Sequence, residues 1–511
     1  MTLPVLQKDH DSFQASEESE NLDEGFVDDG MAPLPWAVRY VPRCLRYDHG
    51  APVEATGIAV DKWAMGPIFM SSLFLGPALL QLATEAAGCI YNESEETICE
   101  NKVYGFRPSS LLSNMAVASG LLVPITLPLV GALVDHTPYR KQVAAWTAMG
   151  VAVVKGIEVS VGPYTWFLIT ILQVTTSIFY NVHVTTTYAY ISELSSKPEI
   201  QAKYNSAFSV INFSSMLAFL VTILVFSGVL GTDDVGTARL SQTVTALTAL
   251  ITFSFAWKHL FRDRPATSAV RHGQTLVTSG FSKVWESVNR IARHHKPLSW
   301  VICSLMFAEA AMSGLITIAT TFLSVVLKMN AEEVGLTFLV VLVAGIPGSW
   351  LSGLTTVQLN IPIKSAILCN ICFVLVTGCA AVTLRGPEHK ALAYMFGLLW
   401  GVLIGWLSPV DTTMFISVMP KDSRAEFMGI YMLAVSILAW LPPLVFSTLN
   451  EVGLDMAWGL VSLDIYFILA VYFLCLVGDY HKAVEDVAEE VLEMTPNVIT
   501  DIPTDKKYEL I

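Results

Sequence analysis

Twelve apolar segments, each of about 20 residues or more, dominate the chain, and no other feature limits its fold so severely. A helix needs about 20 apolar residues to cross a hydrocarbon layer about 30 Å thick, and inside that layer the segment must satisfy its own backbone polar groups. The segments lie at 63–84, 109–134, 142–162, 164–192, 205–229 and 240–260. After a polar stretch at 261–297 come 298–327, 334–355, 362–384, 391–418, 427–449 and 456–478. With 53% hydrophobic and only 14% charged residues among 511, the chain reads as an all-α integral membrane protein, two six-helix halves flanking one central loop.

Both ends are polar and acidic. Residues 1–62, with "SEESENLDEGFVDDG", and 479–511, with "EDVAEEVLEM", hold too few apolar side chains for a core and read as largely disordered tails. Much of the net charge of -14 sits there, so the acidity says little about a ligand. The first 60 residues show no short apolar run behind a basic start, and no signal peptide is expected.

Basic residues collect in the loops of one side: His136, Arg140 and Lys141, then Lys197 and Lys203, "RDRPATSAVRH" with "RIARHHK", Lys364, and Lys421 with Arg424. The other loops are acidic, as in "GTDDVG", "NAEEVG" and "LNEVGLD". The distribution of Lys and Arg makes the basic side cytosolic, together with both tails and the central loop. On the opposite side, Asn92-Glu93-Ser94 is an acceptor sequence for N-glycosylation, and Cys89 with Cys99 is a candidate disulfide. The other cysteines, including Cys369 and Cys372 inside one span, read as packing residues.

The halves show a trace of repetition. Tyr190-Ile191-Ser192-Glu193 and Phe415-Ile416-Ser417-Val418 end the fourth and tenth spans, each before a Lys-containing turn. Two halves repeated about an axis along the membrane normal, with a site between them near the midplane, is the major facilitator arrangement. The stretch "GALVDHTPYRK" resembles that family's signature between spans 2 and 3, with Gly131, Asp135, Arg140 and Lys141 in the matching roles. The resemblance implies close helix approach at Gly131, pairing of Asp135 with Arg140 or a helix N-terminus, and a latch for the cytosolic gate. The basic pair sits one residue late, behind Pro138 and Tyr139, and the second half keeps only "GLTTVQLNIPIK", without an acid.

A narrower resemblance rests on "PLVGALVDHTPYRKQ", "FAEAAMSGLITIATTF" and "MPKDSRAEFMGIYML". These are similar to the autophagy-related vacuolar effluxers, in which an Ala-Glu-Phe precedes a Gly and an aromatic, matched by Ala425, Glu426, Phe427, Gly429 and Tyr431. It implies export of amino acids from an acidic compartment and adds Glu426 to the gate. The terminal Tyr508-Glu509-Leu510-Ile511 resembles a tyrosine-based sorting signal of lysosomal and endosomal proteins, in keeping with a vacuolar, lysosomal or other endomembrane site, with the plasma membrane as the alternative.

Ionisable groups within spans are costly and are functional candidates by default. Glu309 falls near the middle of span 7, with Ser313, Thr317 and Thr320 on roughly the same face, and is the first candidate for a proton carrier. Gln173, Thr176, Tyr180, His183 and Thr187 form a polar stripe on span 4, with Asn181 beside it, and are expected to face a wet cavity. Lys155 and Glu158, at i, i+3 in span 3, suit either a structural pair or a substrate clamp. Asp411, near the cytosolic end of span 10, is expected at a gate; Asp464 falls in the outer half of span 12. Trp400 and Trp406 flank Gly401 and Gly405 and read as packing or lipid-facing aromatics.

The sequence contains no Gly-rich phosphate loop, no His/Glu metal spacing and no nucleophile elbow, so neither an enzyme nor a cofactor or nucleic-acid site is expected. The function expected is secondary transport of a small solute, amino acids first, across a lipid bilayer by alternating access, by a monomer, with Glu309 as the candidate proton carrier and facilitated diffusion as the alternative to proton coupling. Rival readings are a sugar or lysolipid carrier of the cation-symporter branch, against which span 2 lacks acids, and a non-transporting nutrient receptor on the same scaffold.

Overall fold

The computed structural model describes residues 36–47, 51–89, 100–191, 194, 198–265, 275–358, 362–418, 424–478, 480 and 482, with side chains omitted at 198–203, 205, 357, 358, 417 and 424–428. Among the described residues fourteen α-helices are present: α1 (Val53–Ala86), α2 (Leu111–His136), α3 (Arg140–Glu158), α4 (Trp166–Ile191), α5 (Pro198–Leu230), α6 (Asp234–His259), α7 (Leu276–His294), α8 (Lys296–Val325), α9 (Ala331–Gly353), α10 (Pro362–Thr383), α11 (Lys390–Ser417), α12 (Arg424–Ile437), α13 (Leu441–Val452) and α14 (Ala457–Leu476). Eleven spans among the described residues are long and apolar enough to cross a bilayer; α3 carries Arg140, Lys141, Lys155 and Glu158 and completes twelve. The eleventh span is made of α12 and α13, divided where Pro442 and Pro443 open the second helix. Gly453 then closes it in the left-handed conformation, φ 87°.

The packing repeats between the halves. Helix α1 lies against α5 and α6, as α8 lies against α12, α13 and α14; α3 meets α4 and α6, as α10 meets α11 and α14; α2 pairs with α4 as α9 pairs with α11. The halves meet through α2 with α12 and α13, and through α5 with α9. Small residues bring helices together where the bilayer offers no hydrophobic drive. A Cβ on Gly348 would collide with the carbonyl of Val402, and one on Gly405 with that of Gly345, so α9 and α11 touch backbone to backbone.

Two boundaries differ from the sequence expectation. The first helix starts at Val53, ten residues before 63, and residues 36–45 are ordered, with Ala37, Val38, Val41 and Leu45 packed on the first half. The charges that disguised this helix are compensated: Glu54 meets Arg264 at 3.3 Å, Asp61 bonds His183, and the Lys62 ammonium lies 4.7 Å from the Tyr188 ring. The central segment is also not a plain loop. Residues 276–294 form α7, which begins with a Thr275–Thr278 capping box.

Candidate functional site

A cavity of about 250 Å³ lies between the halves, walled by α1, α2 and α4 on one side and α8 on the other. Its polar lining is Ser72, Ser119, Gln173, Ser177, Thr317 and Thr320, with Leu79, Leu112 and Met115 among the apolar residues. Ser72, Ser119 and Thr320 donate their hydroxyl hydrogens to carbonyls of their own helices and keep lone pairs for a guest. The side chains of Ser177 and Thr317 make no hydrogen bond among the described residues.

Gln173 is oriented from behind. Its Oε1 accepts a hydrogen bond from Lys155 Nζ at 3.1 Å, and because an ammonium can only donate, the amide must turn its NH₂ the other way. Lys155 Nζ also lies 2.9 Å from Glu158 Oε2, Glu158 Oε1 accepts from Thr176 Oγ1 at 3.1 Å, and neither side chain of the pair has any exposed surface. The pair is thus a closed network behind the cavity wall, not a clamp projecting from it. The polar stripe on α4 divides accordingly: Gln173 reaches the cavity, while Thr176, His183 and Thr187 are buried within the first half.

Two ionisable clusters face one another below the cavity, towards the basic side. In the first half, Asp61 Oδ1 lies 2.9 Å from His183 Nε2 and accepts from Trp257 Nε1 at 2.9 Å. His183 Nδ1 lies 3.1 Å from the Ala144 carbonyl, so it carries a hydrogen; the bond to Asp61 then requires one further proton, held by ring or carboxyl. Tyr180 and Tyr188 stand beside this pair. Asn181 bonds Ser177 O of its own helix at 2.9 Å. In the second half, Glu309, Asp411 and Tyr431 lie within electrostatic reach of one another, and Tyr431 shares a 3.3 Å bond with Thr412. Glu309 is half-buried near the middle of α8, and Ser313, one turn on, is exposed. Asp411 is 2% exposed and its Oδ2 has no hydrogen-bond partner among the described residues.

On the acidic side the halves are tied together. The backbone N–H of Arg107 and Lys102 Nζ both reach the Glu451 carboxylate, at 2.6 and 2.8 Å, and Arg107 Nη1 donates to Asn450 O. Asn450 Nδ2 donates to Ser109 and Ser110, and Ser447 to Asn114. Across the molecule Ser227 bonds Glu332, and Asp234 accepts from the Ala331 N–H. On the basic side Asp135 pairs at 2.8 Å with Lys283 of α7 rather than with Arg140. The buried Arg140 guanidinium lies 5.8 Å from the Tyr190 ring, and Lys141 is 3.9 Å from Asp263. At Gly131 no described atom stands within 4 Å of a notional Cβ, so the close approach expected there is absent in this conformation.

Trp400 and Trp406 are buried, not lipid-facing, and donate to Thr377 and to Ser365. Asp464 on α14 lies beside Gly378 of α10, and its Oδ1 has no hydrogen-bond partner among the described residues. Cys89 is disulfide-bonded, whereas Cys99, Asn92, Tyr508 and Ile511 lie outside the described residues, as does the side chain of Glu426. Sequence reasoning missed Asp61, Lys62 and Trp257. The signal available was that "EATGIAV" runs into Asp61-Lys62 and on to the apolar span with no proline before Pro67.

The sequence profile of the Major Facilitator Superfamily matches residues 64–442. Autophagy-related protein 22 of Kluyveromyces lactis is 22% identical over 273 residues, 50% of this chain and 54% of that protein, so the chain spans about half the length of this relative. Among solved structures, a mutant of the nucleoside transporter NupG superposes with a TM-score of 0.58 at 10% identity, covering 83% of this chain and 100% of that one. The xylose transporter XylE from E. coli, in an inward open conformation, gives 0.57 at 15% identity over 86% and 99%. The human organic anion transporter TETRAN gives 0.55 at 14% identity over 82% and 98%.

Proposed function

The chain belongs to the major facilitator superfamily, and from that premise we propose that it moves a small solute by alternating access, with amino acids as the first substrate class and protons as the coupling ion. The observation that carries this reading is the cavity between halves that are bonded together on the acidic side, where Gln173 is turned so that its NH₂ is left for a guest. That NH₂ and the hydroxyls of Ser177 and Thr317 suit a carboxylate. The committed hydroxyls of Ser72, Ser119 and Thr320 offer oxygens to an ammonium. Glu309 shares the α8 face of Ser313, Thr317 and Thr320, and with Asp411 it forms the proton-exchanging pair of this mechanism.

In this reading the basic side is cytosol and the acidic side the lumen of an acidic endomembrane compartment. Protons entering from the lumen drive solute towards the cytosol, the halves rock about the cavity, and Asp135, Arg140 and Lys141 belong to the cytosolic gate. A second reading has one observation in its favour: among the described residues no charged side chain lines the cavity, which suits a sugar or another uncharged polyol.

Both are tested by reconstituting the full chain in liposomes with an imposed pH gradient and measuring uptake of radiolabelled amino acids and sugars. Gradient-driven uptake of a neutral amino acid that Glu309→Gln abolishes is expected. Sugar uptake alone would replace the substrate class, uptake indifferent to the gradient and to Glu309→Gln would remove the proton role, and no uptake of any solute would favour a receptor.

A further inference from the structure

Helix α7 is amphipathic in an unusual way. At 100° per residue, Gly280, Val284, Ser287, Ile291, Val277, Val288, Phe281, Ala292 and Trp285 occupy one continuous arc; Ser282, Glu286, Asn289 and Arg293 lie opposite. Only one edge of the arc meets protein. Gly280, Ser287 and Ile291 are buried, whereas Val277, Phe281, Trp285 and Val288 are 56%, 44%, 72% and 41% exposed. Four large apolar side chains in one stripe would be a liability in water.

The depth of the helix is fixed by its contacts. A Cβ on Gly280 would collide with the carbonyl oxygen of Pro128, and Pro128 stands eight residues before the end of α2 at His136, about 12 Å inside that span. Nearer the α2 terminus, Ser279 Oγ lies 2.9 Å from His136 Nε2, and Lys283 bonds Asp135. At its other end α7 reaches α8 through the single residue His295, so both ends are tied to membrane spans. It packs against α12 as well as α2 and therefore bridges the seam between the halves on the basic side.

We propose that α7 is an interfacial membrane helix whose Val277–Phe281–Trp285–Val288 face is docked in the lipid of the basic-side leaflet. A helix held alongside the buried part of α2 can present its outer apolar face only to acyl chains and the headgroup boundary, and an exposed Trp suits that boundary. Its opposite face, with Ser282, Glu286 and Arg293, stays in water. The docking holds Lys283 on Asp135 and keeps α7 across the seam, so lipid contact and the signature acid act on one element.

The test uses the full chain, with Cys44, Cys303, Cys379 and Cys475 replaced by Ser, carrying a bimane label at Trp285→Cys or, on the opposite face, at Glu286→Cys. The protein is reconstituted in phosphatidylcholine vesicles containing lipid brominated in the upper acyl chain. Brominated lipid is expected to quench the Trp285→Cys label several-fold more than the Glu286→Cys label, and aqueous iodide to show the reverse order. The pair Val288→Cys and Arg293→Cys repeats the comparison and guards against distortion by one label. Equal iodide quenching of both faces would overturn the proposal. So would protection of the Trp285→Cys label from lipid and iodide alike, which would place a protein surface there.

Discussion

Replacing Lys155 by Met tests whether the buried pair in α3 supports the fold or serves the solute. Methionine keeps the approximate length and volume and removes the ammonium. Among the described residues Glu158 then retains only the Thr176 hydroxyl, at 3.1 Å, and it has no exposed side-chain surface through which water could replace the lost cation. Stranding one member of a buried pair costs about 3–5 kcal/mol. Gln173 Oε1 loses its donor as well, which adds about 1 kcal/mol. At about 2–4 °C per kcal/mol for a half of this size, Lys155→Met should lower the unfolding midpoint by about 10 °C or more. Thermal unfolding of the detergent-solubilised protein, followed by fluorescence-detected size exclusion, reads this directly. The double variant Lys155→Met with Glu158→Leu should recover most of the loss, because two apolar residues of similar volume can replace a buried pair at little cost. If Lys155→Met unfolded within about 1 kcal/mol of the parent, as exposed pairs do, the pair would be hydrated and the closed network wrong.

Two further outcomes follow from the contacts between and within the halves. Arg107→Ala combined with Glu451→Leu removes the Arg107 guanidinium bond to Asn450 and the carboxylate that Lys102 and the Arg107 N–H reach on the acidic side, and a cysteine placed at Ser72 should then become several-fold more reactive to an impermeant reagent applied from that side; unchanged reactivity would mean that the Asn450, Ser447 and α5–α9 contacts hold the seal without them. Gly405→Ala drives a methyl into the Gly345 carbonyl and should cut the yield of monodisperse protein sharply, whereas Gly131→Ala, which meets open space, should leave it near the parent value.

Much of the architecture was legible because span length and Lys/Arg placement are local properties of the sequence. What escaped was decided across distance. Asp61 and Lys62 looked like loop residues because a charge beside an apolar run marks a span end unless its partner is known, and the partners stand on α4 and α6: His183, Tyr188 and Trp257. The same argument applies to α7. Its apolar stripe has helical period, but nineteen residues bearing Lys283, Glu286, Arg290 and Arg293 fail as a membrane crossing, and period alone cannot show that one edge of the stripe rests on Pro128.

Asp135 shows most clearly how a local motif can acquire a distant meaning. The spacing to Arg140 suggested a partner within one turn, and the structure supplies one 148 residues later. Arg140 is meanwhile drawn inward against Tyr190, a ring that also meets Trp257 edge-to-face and so leads to the Asp61 and His183 pair. The two members of the signature thus report to different places, the acid to a helix bridging the seam and the base to the buried proton-holding cluster of the first half. Only the short turn at 137–139 separates α2 from α3, so α2 cannot swing away from α7 at the Asp135–Lys283 contact without pulling on the start of α3, where Arg140 is seated against Tyr190, which is a physical reason for the seam helix and the ionisable cluster to respond as one unit.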